Sequence, residues 1–162
     1  MSENIYYDCR KKAATGNTAF RSRATVAEML GISEASLANY ERGTTKCVPA
    51  DMVVSMAIAY NTPELKYHYC KNSCPIGCYI PLATTEETIE KTTVKLIDSL
   101  DPEAIEMATK RIVKIAADGE ISETEAKELL PIMDGFSKAV LAISQLGIIA
   151  ERTAKWTNSR NA

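Results

Sequence analysis

The segment that runs from Ser22 to Gly43 places the strongest constraint on the fold of this 162-residue chain. It reads SRATVAEMLGISEASLANYERG and predicts two short helices joined by a tight turn. Ser22 can cap the first helix, and Gly31 can end it without a Cβ clash. Ser33 can cap the second helix, and Gly43 occupies a position that favours a left-handed C-cap. This order is the sequence pattern of a helix-turn-helix.

Three apolar residues within this segment would hold the two helices together. Ala27 has to be small because the helices cross there, and Ile32 and Leu37 would fix the angle between them. The second helix then keeps its outer face free, and such a face can place side chains against base edges in the major groove of DNA. The pattern therefore predicts a DNA-binding segment.

The same segment resembles the lambda-repressor-like DNA-binding domain, the Cro and repressor type of bacterial and phage regulators. The resemblance is carried by Ala27, Leu30-Gly31-Ile32-Ser33, Leu37 and Tyr40-Glu41-Arg42-Gly43. It covers residues 5–70 and implies an all-α domain of five helices. It also implies a transcriptional regulator, more often a repressor, that binds specific sequences of double-stranded DNA.

The resemblance further implies roles for individual side chains. Arg23 would contact phosphate near the positive end of a helix dipole. The residues that would face the groove are Glu34, Ala35, Ser36 and Asn39. The residues after the recognition helix that would reach the DNA backbone are Thr44, Thr45 and Lys46. Asn39 is suited to adenine, and Glu34 can accept only from a base such as cytosine N4.

The chain also departs from the pattern of that family. Ser22-Arg23 stands where the family usually has a Thr-Gln pair, and Glu34-Ala35 stands where Arg, Gln or Ser is common. The base preference of a relative therefore does not transfer to this chain. An alternative interpretation is that Ser36 only caps the helix and Asn39 is only solvated. Arg42 is predicted to be structural, paired with Glu41 or Glu28.

Turn signals divide the rest of the first half into three further helices. The pattern predicts one helix over residues 5–14, one that begins at Pro49, and one from Pro63 to about Cys70. The segment KNSCPIGCYIPLATT, residues 71–85, contains two prolines and marks a domain boundary, which we place near Leu82. The predicted domains are residues 1–82, which bind DNA, and residues 83–162, a helical oligomerisation or regulatory region.

The second half is predicted to be helical, with a start signal for each helix. These signals are Thr84 with Glu87, Asp101 with Pro102, and Ser122 with Glu125. The apolar residues expected to face inward are Ile89, Leu96, Ile97 and Leu100 in the first of these helices and Ile105, Ala108, Ile112 and Ile115 in the second. Pro131 is expected to kink or divide the last helical stretch.

An apolar surplus between Phe136 and Ile149 predicts self-association. One amphipathic face does not need so many apolar residues, so a second side, including Leu141, Ile148 and Trp156, is expected to need a partner. A second copy is the simplest partner, which gives a homodimer through residues 84–156. The alternative is that this side packs back on residues 1–80 of the same chain.

Four soft ligands lie close together in the sequence, namely His68, Cys70, Cys74 and Cys78. Such residues can bind zinc or iron–sulfur, but three residues between the cysteines is an unfavourable spacing for a zinc knuckle. Buried thiols that serve packing are the preferred interpretation, and no metal or cofactor is expected. The alternative function is a protein-interaction or cysteine-based metal or redox sensor module whose helix-turn-helix does not read DNA.

Composition and charge set the remaining limits. Apolar residues make up 46% of the chain, and no apolar run is expected to be long enough to span a membrane. The polar N-terminus lacks a secretory signal, so a cytoplasmic protein is expected. Residues 1–80 carry a net charge of +2 and residues 81–162 a net charge of −4, so a polyanion would bind the first half. His68 is the only histidine and no Gly-rich phosphate loop occurs, so no enzyme is predicted.

Overall fold

The computed structural model describes residues 4–85 and 87–154, and at Cys78 it describes the backbone alone. Within these residues the chain has eight α-helices and no strand, which confirms the all-α class. The helices are α1 (Ile5–Gly16), α2 (Arg23–Met29), α3 (Glu34–Arg42), α4 (Ala50–Tyr60), α5 (Glu64–Asn72), α6 (Ile89–Ser99), α7 (Pro102–Ile115) and α8 (Glu123–Ala154). Thr18–Arg21 and Gly77–Tyr79 form short 3-10 turns.

The described residues divide into two compact units. Unit 1 contains the residues up to 80 together with those from 150 to 154, and unit 2 contains residues 81–149. Unit 1 therefore holds α1 to α5 and the last turn of α8. That residues 1–82 fold by themselves remains a prediction.

Unit 1 is built around one apolar core. Apolar residues of α4 recur at helical spacing and are almost fully buried, namely Val53, Met56, Ala57 and Tyr60. They join Val26 and Leu37, both fully buried, in one cluster. The ring of Phe20 meets the ring of Tyr60 edge to face with 5.7 Å between centroids. The first helix of this unit ends at Gly16, two residues later than predicted.

Ion pairs join the last turn of α8 to α5 within unit 1. Arg152 Nη2 lies 2.6 Å from Glu64 Oε2, and Lys12 Nζ lies 3.7 Å from Glu64 Oε1. Lys66 of α5 pairs with Glu151. Since Glu64 is only 8% exposed, its carboxylate depends on these cations for stabilisation.

Most of the predicted helix starts are confirmed. Ser22 accepts a hydrogen bond from the Thr25 amide at 3.3 Å, and Asp101 accepts one from the Ala104 amide at 2.9 Å. Ser122 and Glu125 form a capping box, in which the Ser122 amide donates to the Glu125 carboxylate at 3.0 Å. These caps begin α2, α7 and α8.

The prediction for α6 is wrong in two respects. The cap is Thr88, which accepts from the Lys91 amide, and not Thr84. The inward residues are Thr92, Leu96 and Ser99, whereas the expected Ile89, Ile97 and Leu100 are exposed. The hydroxyl of Thr92 can be buried because it donates to the Thr88 carbonyl at 3.0 Å.

The apolar stripe of α7 is confirmed. Ile105, Ala108 and Ile112 are half-buried, and Ile115 is buried. The spacing of three and four residues places them on one side of the helix, as packing against other helices requires. Met107 and Val113 on other sides of α7 are exposed.

Helix α8 agrees with its prediction only in part. Of the two effects expected of Pro131, a kink or a division, the division does not occur, because Pro131 lies inside one helix of 32 residues. Ile148 was expected on the side that needs a partner, but it is 1% exposed because it lies on the inward face with Ala142 and Gln145. Leu141 is exposed as expected, and Trp156 lies outside the described residues.

Helix α8 is also long and apolar enough to cross a membrane, judged by length and composition alone. This overturns the expectation that no apolar stretch reaches that length. The finding is weak evidence for a span, because a core helix of a globular protein can pass the same test.

Candidate nucleic-acid interface

Helices α2 and α3 meet at a tight turn that fixes the angle between them. Gly31 has a φ of 68°, a left-handed conformation that glycine adopts without strain. The Ile32 amide donates to the Ala27 carbonyl at 3.0 Å, which closes the turn. Ala27 and Leu37 are buried between the two helices, as the sequence predicts.

The outer face of α3 presents the expected groove residues. Glu34, Ala35 and Asn39 are exposed, and Ser36 is half-buried. The Ser36 hydroxyl lies 2.8 Å from the Ser33 hydroxyl, and the Ser33 oxygen also accepts from the Ser36 amide. Ser36 is thus partly engaged in capping. Among the described residues, the Asn39 side chain has no hydrogen-bond partner, so its amide is available to a ligand.

The segment after α3 follows a sharp C-terminal turn. Gly43 has a φ of 70°, and the Thr44 amide donates to the Asn39 carbonyl at 3.1 Å. The Thr44 hydroxyl donates to the same carbonyl at 3.1 Å, so it is already engaged. Thr45 is half-buried, and Lys46 is exposed.

A buried ion-pair network holds α3 against the rest of unit 1. The Glu41 carboxylate, 1% exposed, accepts from the guanidinium groups of Arg10 and Arg23. The distance from Arg10 Nη2 is 2.9 Å and that from Arg23 Nε is 2.6 Å. Arg10 also donates to the Phe20 carbonyl at 2.8 Å. The network therefore joins α1, the 3-10 turn, α2 and α3.

The network changes the titration of its members. Burial by itself would raise the pKa of Glu41, but the hydrogen bonds and charges of Arg10 and Arg23 outweigh it and hold this pKa below its ordinary value. The hydrogen bonds that Arg10 donates to Glu41 raise the pKa of Arg10 above its ordinary value. Glu41 is therefore charged at neutral pH and neutralised within the domain.

The structure corrects the predicted pairing of Arg42. Glu41 binds Arg10 and Arg23, and among the described residues Arg42 has no ion pair and is exposed. The reason is that Glu41 points into unit 1 while its neighbour Arg42 points outward. Arg42 thus adds an exposed cation beside the outer face of α3.

Arg23 has a structural contact that its predicted role did not include. Its Nε atom is bound to Glu41, but one third of its side chain is exposed. Arg10 was not recognised as important from the sequence. A single arginine in α1 gives no signal that it is buried, and only the complementary carboxylate at Glu41 could have suggested a pair.

The cysteines and His68 do not form a metal centre among the described residues. No group of three or more ligating side chains meets there, and the side chain of Cys78 lies outside the description. Cys9 is buried, and burial raises the pKa of its thiol to about 11. The Cys47 sulfur lies 3.6 Å from the Tyr69 hydroxyl. Burial lowers the pKa of His68, which keeps it neutral at physiological pH.

Residues 21–66 match a family model that is described as helix-turn-helix. By this match the segment is similar to lambda-repressor-like helix-turn-helix domains. The match begins just before α2 and ends within α5, so it includes the turn at Gly31 and the whole of α3. No curated protein and no solved structure is significantly similar to the chain.

The helix-turn-helix match confirms the resemblance seen in the sequence. It supports a DNA-binding regulator. Unit 2 lies outside the matched residues.

Proposed function

We propose that the chain is a sequence-specific transcriptional repressor that binds double-stranded DNA as a homodimer. The observation that carries this proposal is the outer face of α3, where the unengaged amide of Asn39 lies among small exposed side chains and next to exposed cations. A helix with such a face can enter the major groove of B-DNA.

In this proposal four residues contact the bases, namely Glu34, Ala35, Ser36 and Asn39. Asn39 can make a bidentate contact with adenine, and Ala35 can contact a thymine methyl group. Glu34 repels phosphate and can accept a hydrogen bond from a cytosine amino group, so it favours a site with cytosine. Ser36 contributes less, because Ser33 already occupies its hydroxyl.

In this proposal the phosphate contacts are made by residues at the start of α2, at the end of α3 and directly after α3. Arg23 and Lys46 provide positive charge, and Thr44 and Thr45 lie beside Lys46. We add Arg42, since its charge is exposed and not neutralised by a described residue. These contacts fix the register of the domain on DNA without selecting the sequence.

Homodimer formation is supported by the exposed apolar surface of unit 2. Large apolar side chains that are at least two-fifths exposed include Val94, Ile97, Met107, Val113, Leu130, Met133, Val140, Leu141 and Ile143. Exposed apolar surface on this scale is typical of an interface. A two-fold dimer would also place two reading heads on neighbouring half-sites, which a single helix-turn-helix needs for useful specificity.

The cytoplasm is the proposed location, and α8 is proposed to be a helix of a globular unit and not a membrane span. Asp134 and Lys138 place charges within its apolar stretch, and Ala139, Ala142, Gln145 and Ile148 form a buried face on it. A charged side chain at the centre of a bilayer is costly.

The salt dependence of binding tests the proposal. A site selected from a random DNA pool should bind the full-length protein with an affinity that falls steeply as salt is raised, because phosphate contacts release counterions. Lys46→Gln should weaken binding to all sequences alike and reduce the salt slope by about one. Asp51→Asn, at an exposed acid outside the proposed face, is the control. If no DNA is selected, or if the affinity does not depend on the salt concentration, the proposal is wrong.

A further inference from the structure

Unit 2 contains a cleft to which the proposed DNA contacts do not extend, although Met107 and Leu141 of the apolar surface proposed for the dimer lie in its lining. A cavity of about 380 Å³ is lined by residues from 82 to 99 and from 138 to 145. A second cavity of about 640 Å³ is lined by residues from 98 to 111 and from 128 to 138. Asp98, Ser99 and Lys138 line both, so the two cavities meet at these side chains. Volumes in this range accommodate small organic ligands.

The charged side chains along the cleft form ion pairs with each other, except at this meeting point. Among the described residues, six charged side chains line the two cavities. Glu87 binds Lys95 at 2.7 Å, and Glu128 binds Arg111. Asp98 and Lys138 have no such partner within the described part of the chain. The cleft therefore presents one acid and one base, both unpaired, at the place where its two halves join.

The neutral polar group at the same place is an acceptor. The Ser99 hydroxyl donates its proton to the Leu96 carbonyl at 2.9 Å, so its oxygen is left to accept a hydrogen bond. Asp98 and Ser99 both line the two cavities, and the oxygens of their side chains can accept hydrogen bonds from an ammonium group. The ammonium of Lys138 is suited to a carboxylate.

The larger cavity is apolar beyond these groups. Ile105, Ala108, Ile132 and Phe136 line it, and they come from the facing sides of α7 and α8. An apolar body placed there would be removed from water, and burial of apolar surface is favourable. Its charged end would lie at Asp98 and Lys138.

We propose that this cleft binds a free α-amino acid with a large apolar side chain. The α-ammonium binds Asp98 and Ser99, the α-carboxylate binds Lys138, and the side chain enters the larger cavity. Charge complementarity selects this class, because a zwitterion satisfies both unpaired charges at once, whereas a simple acid or amine satisfies only one. A neutral apolar molecule leaves both unsatisfied.

The test is calorimetric titration of the full-length protein with L-leucine and with L-phenylalanine. Each is expected to bind once per chain. The comparison compounds are 4-methylpentanoic acid, which lacks the ammonium, and 3-methylbutylamine, which lacks the carboxylate. Both should bind more weakly by about tenfold or more, since each loses one charge-assisted contact.

Variants separate recognition from folding. Asp98→Asn and Lys138→Gln should each reduce the affinity for leucine by about tenfold or more. Asp134→Asn and Lys114→Gln are matched controls, because they change exposed charges on α8 and α7 that do not line the cleft. Ala108→Phe should abolish binding by filling the larger cavity, with helix content by circular dichroism unchanged.

Three results would overturn the proposal. The first is no heat and no thermal shift with either amino acid at about 10 mM. The second is equal binding of the compounds that lack one charge. The third is that Ala108→Phe dissociates a dimer while neither amino acid binds, because a second copy of the chain would then occupy the cleft.

Discussion

Asn39 offers a direct test of the reading face at the scale of one residue. Its amide is exposed and unengaged within the described residues, so Asn39→Ala should remove a base contact without disturbing the domain. We expect a loss of about 1–3 kcal/mol at the preferred site and relaxed preference at one base pair. Ser36→Ala should have a smaller effect, because the Ser36 hydroxyl is held by Ser33. Fluorescence anisotropy with single-base variants of the site measures both. Unchanged discrimination in Asn39→Ala would place base reading elsewhere.

Glu41 makes stability depend on pH. Its pKa is lower in the folded domain than its ordinary value of 4.5, so its contribution is fully present above that value. The contribution is lost as the pH falls through the lowered pKa. Glu41→Gln should destabilise the protein by about 3–5 kcal/mol at pH 7, because Arg10 stays buried without its counter-charge. Denaturant unfolding should show the gap to the wild-type protein narrowing below pH 4.5. A gap that does not change with pH would contradict this role.

At the residue scale, the sequence predicts contacts between neighbouring residues and misses contacts between distant ones. Turn and cap residues act on their own neighbours, so Ser22, Gly31 and Ser33 were predicted correctly. The partners of Glu41 lie 18 and 31 residues away along the chain. Such a pair depends on how α1 packs on α3, which local patterns do not encode.

At the scale of an element, α6 tests the rule for helix starts. Thr88→Ala should lower the free energy of unfolding of unit 2 by about 1 kcal/mol, because the side chain caps the Lys91 amide. Thr84→Ala is the matched control and should have little effect. Amide hydrogen exchange in the first turn of α6 should rise in the first variant alone. Equal effects in both would contradict the observed cap.

The error in α6 has a physical origin. A threonine followed three residues later by glutamate matches a capping box, which favoured Thr84 with Glu87. In the structure Glu87 binds Lys95 at 2.7 Å and Lys91 at 3.4 Å, so it serves ion pairs along the helix. The inward face of α6 also does not follow its apolar residues, since Thr92 and Ser99 face inward while Ile97 is exposed. In a unit with few layers, an apolar face can remain outward until a partner covers it.

At the scale of the whole molecule, the last turn of α8 affects how a truncated chain behaves. A chain that ends at Leu82 lacks Arg152, so Glu64 keeps Lys12 alone as a described partner. We expect this shorter chain to fold but to be less stable than the full protein in denaturant unfolding. Glu64→Gln in the shorter chain should recover part of the loss, because it removes a carboxylate that has lost its closest cation. No recovery would mean that the ion pair with Arg152 contributes little.

Self-association is the property of the whole molecule on which the proposed mode of DNA binding depends. We expect the full-length protein to sediment as a dimer at micromolar concentration. The chain that ends at Leu82 should be monomeric. It should also bind a palindromic site far more weakly than the full-length protein, since avidity is lost. Met133 and Val140 are exposed apolar residues of α8, so replacing both with lysine should dissociate the dimer, because charges would be buried without partners. Ile58→Lys changes a residue of similar exposure in unit 1 and should leave the dimer intact. Sedimentation equilibrium distinguishes these states. A full-length protein that remains monomeric would require each helix-turn-helix to act alone, and a dimer that survives both lysines would place its interface outside this face of α8.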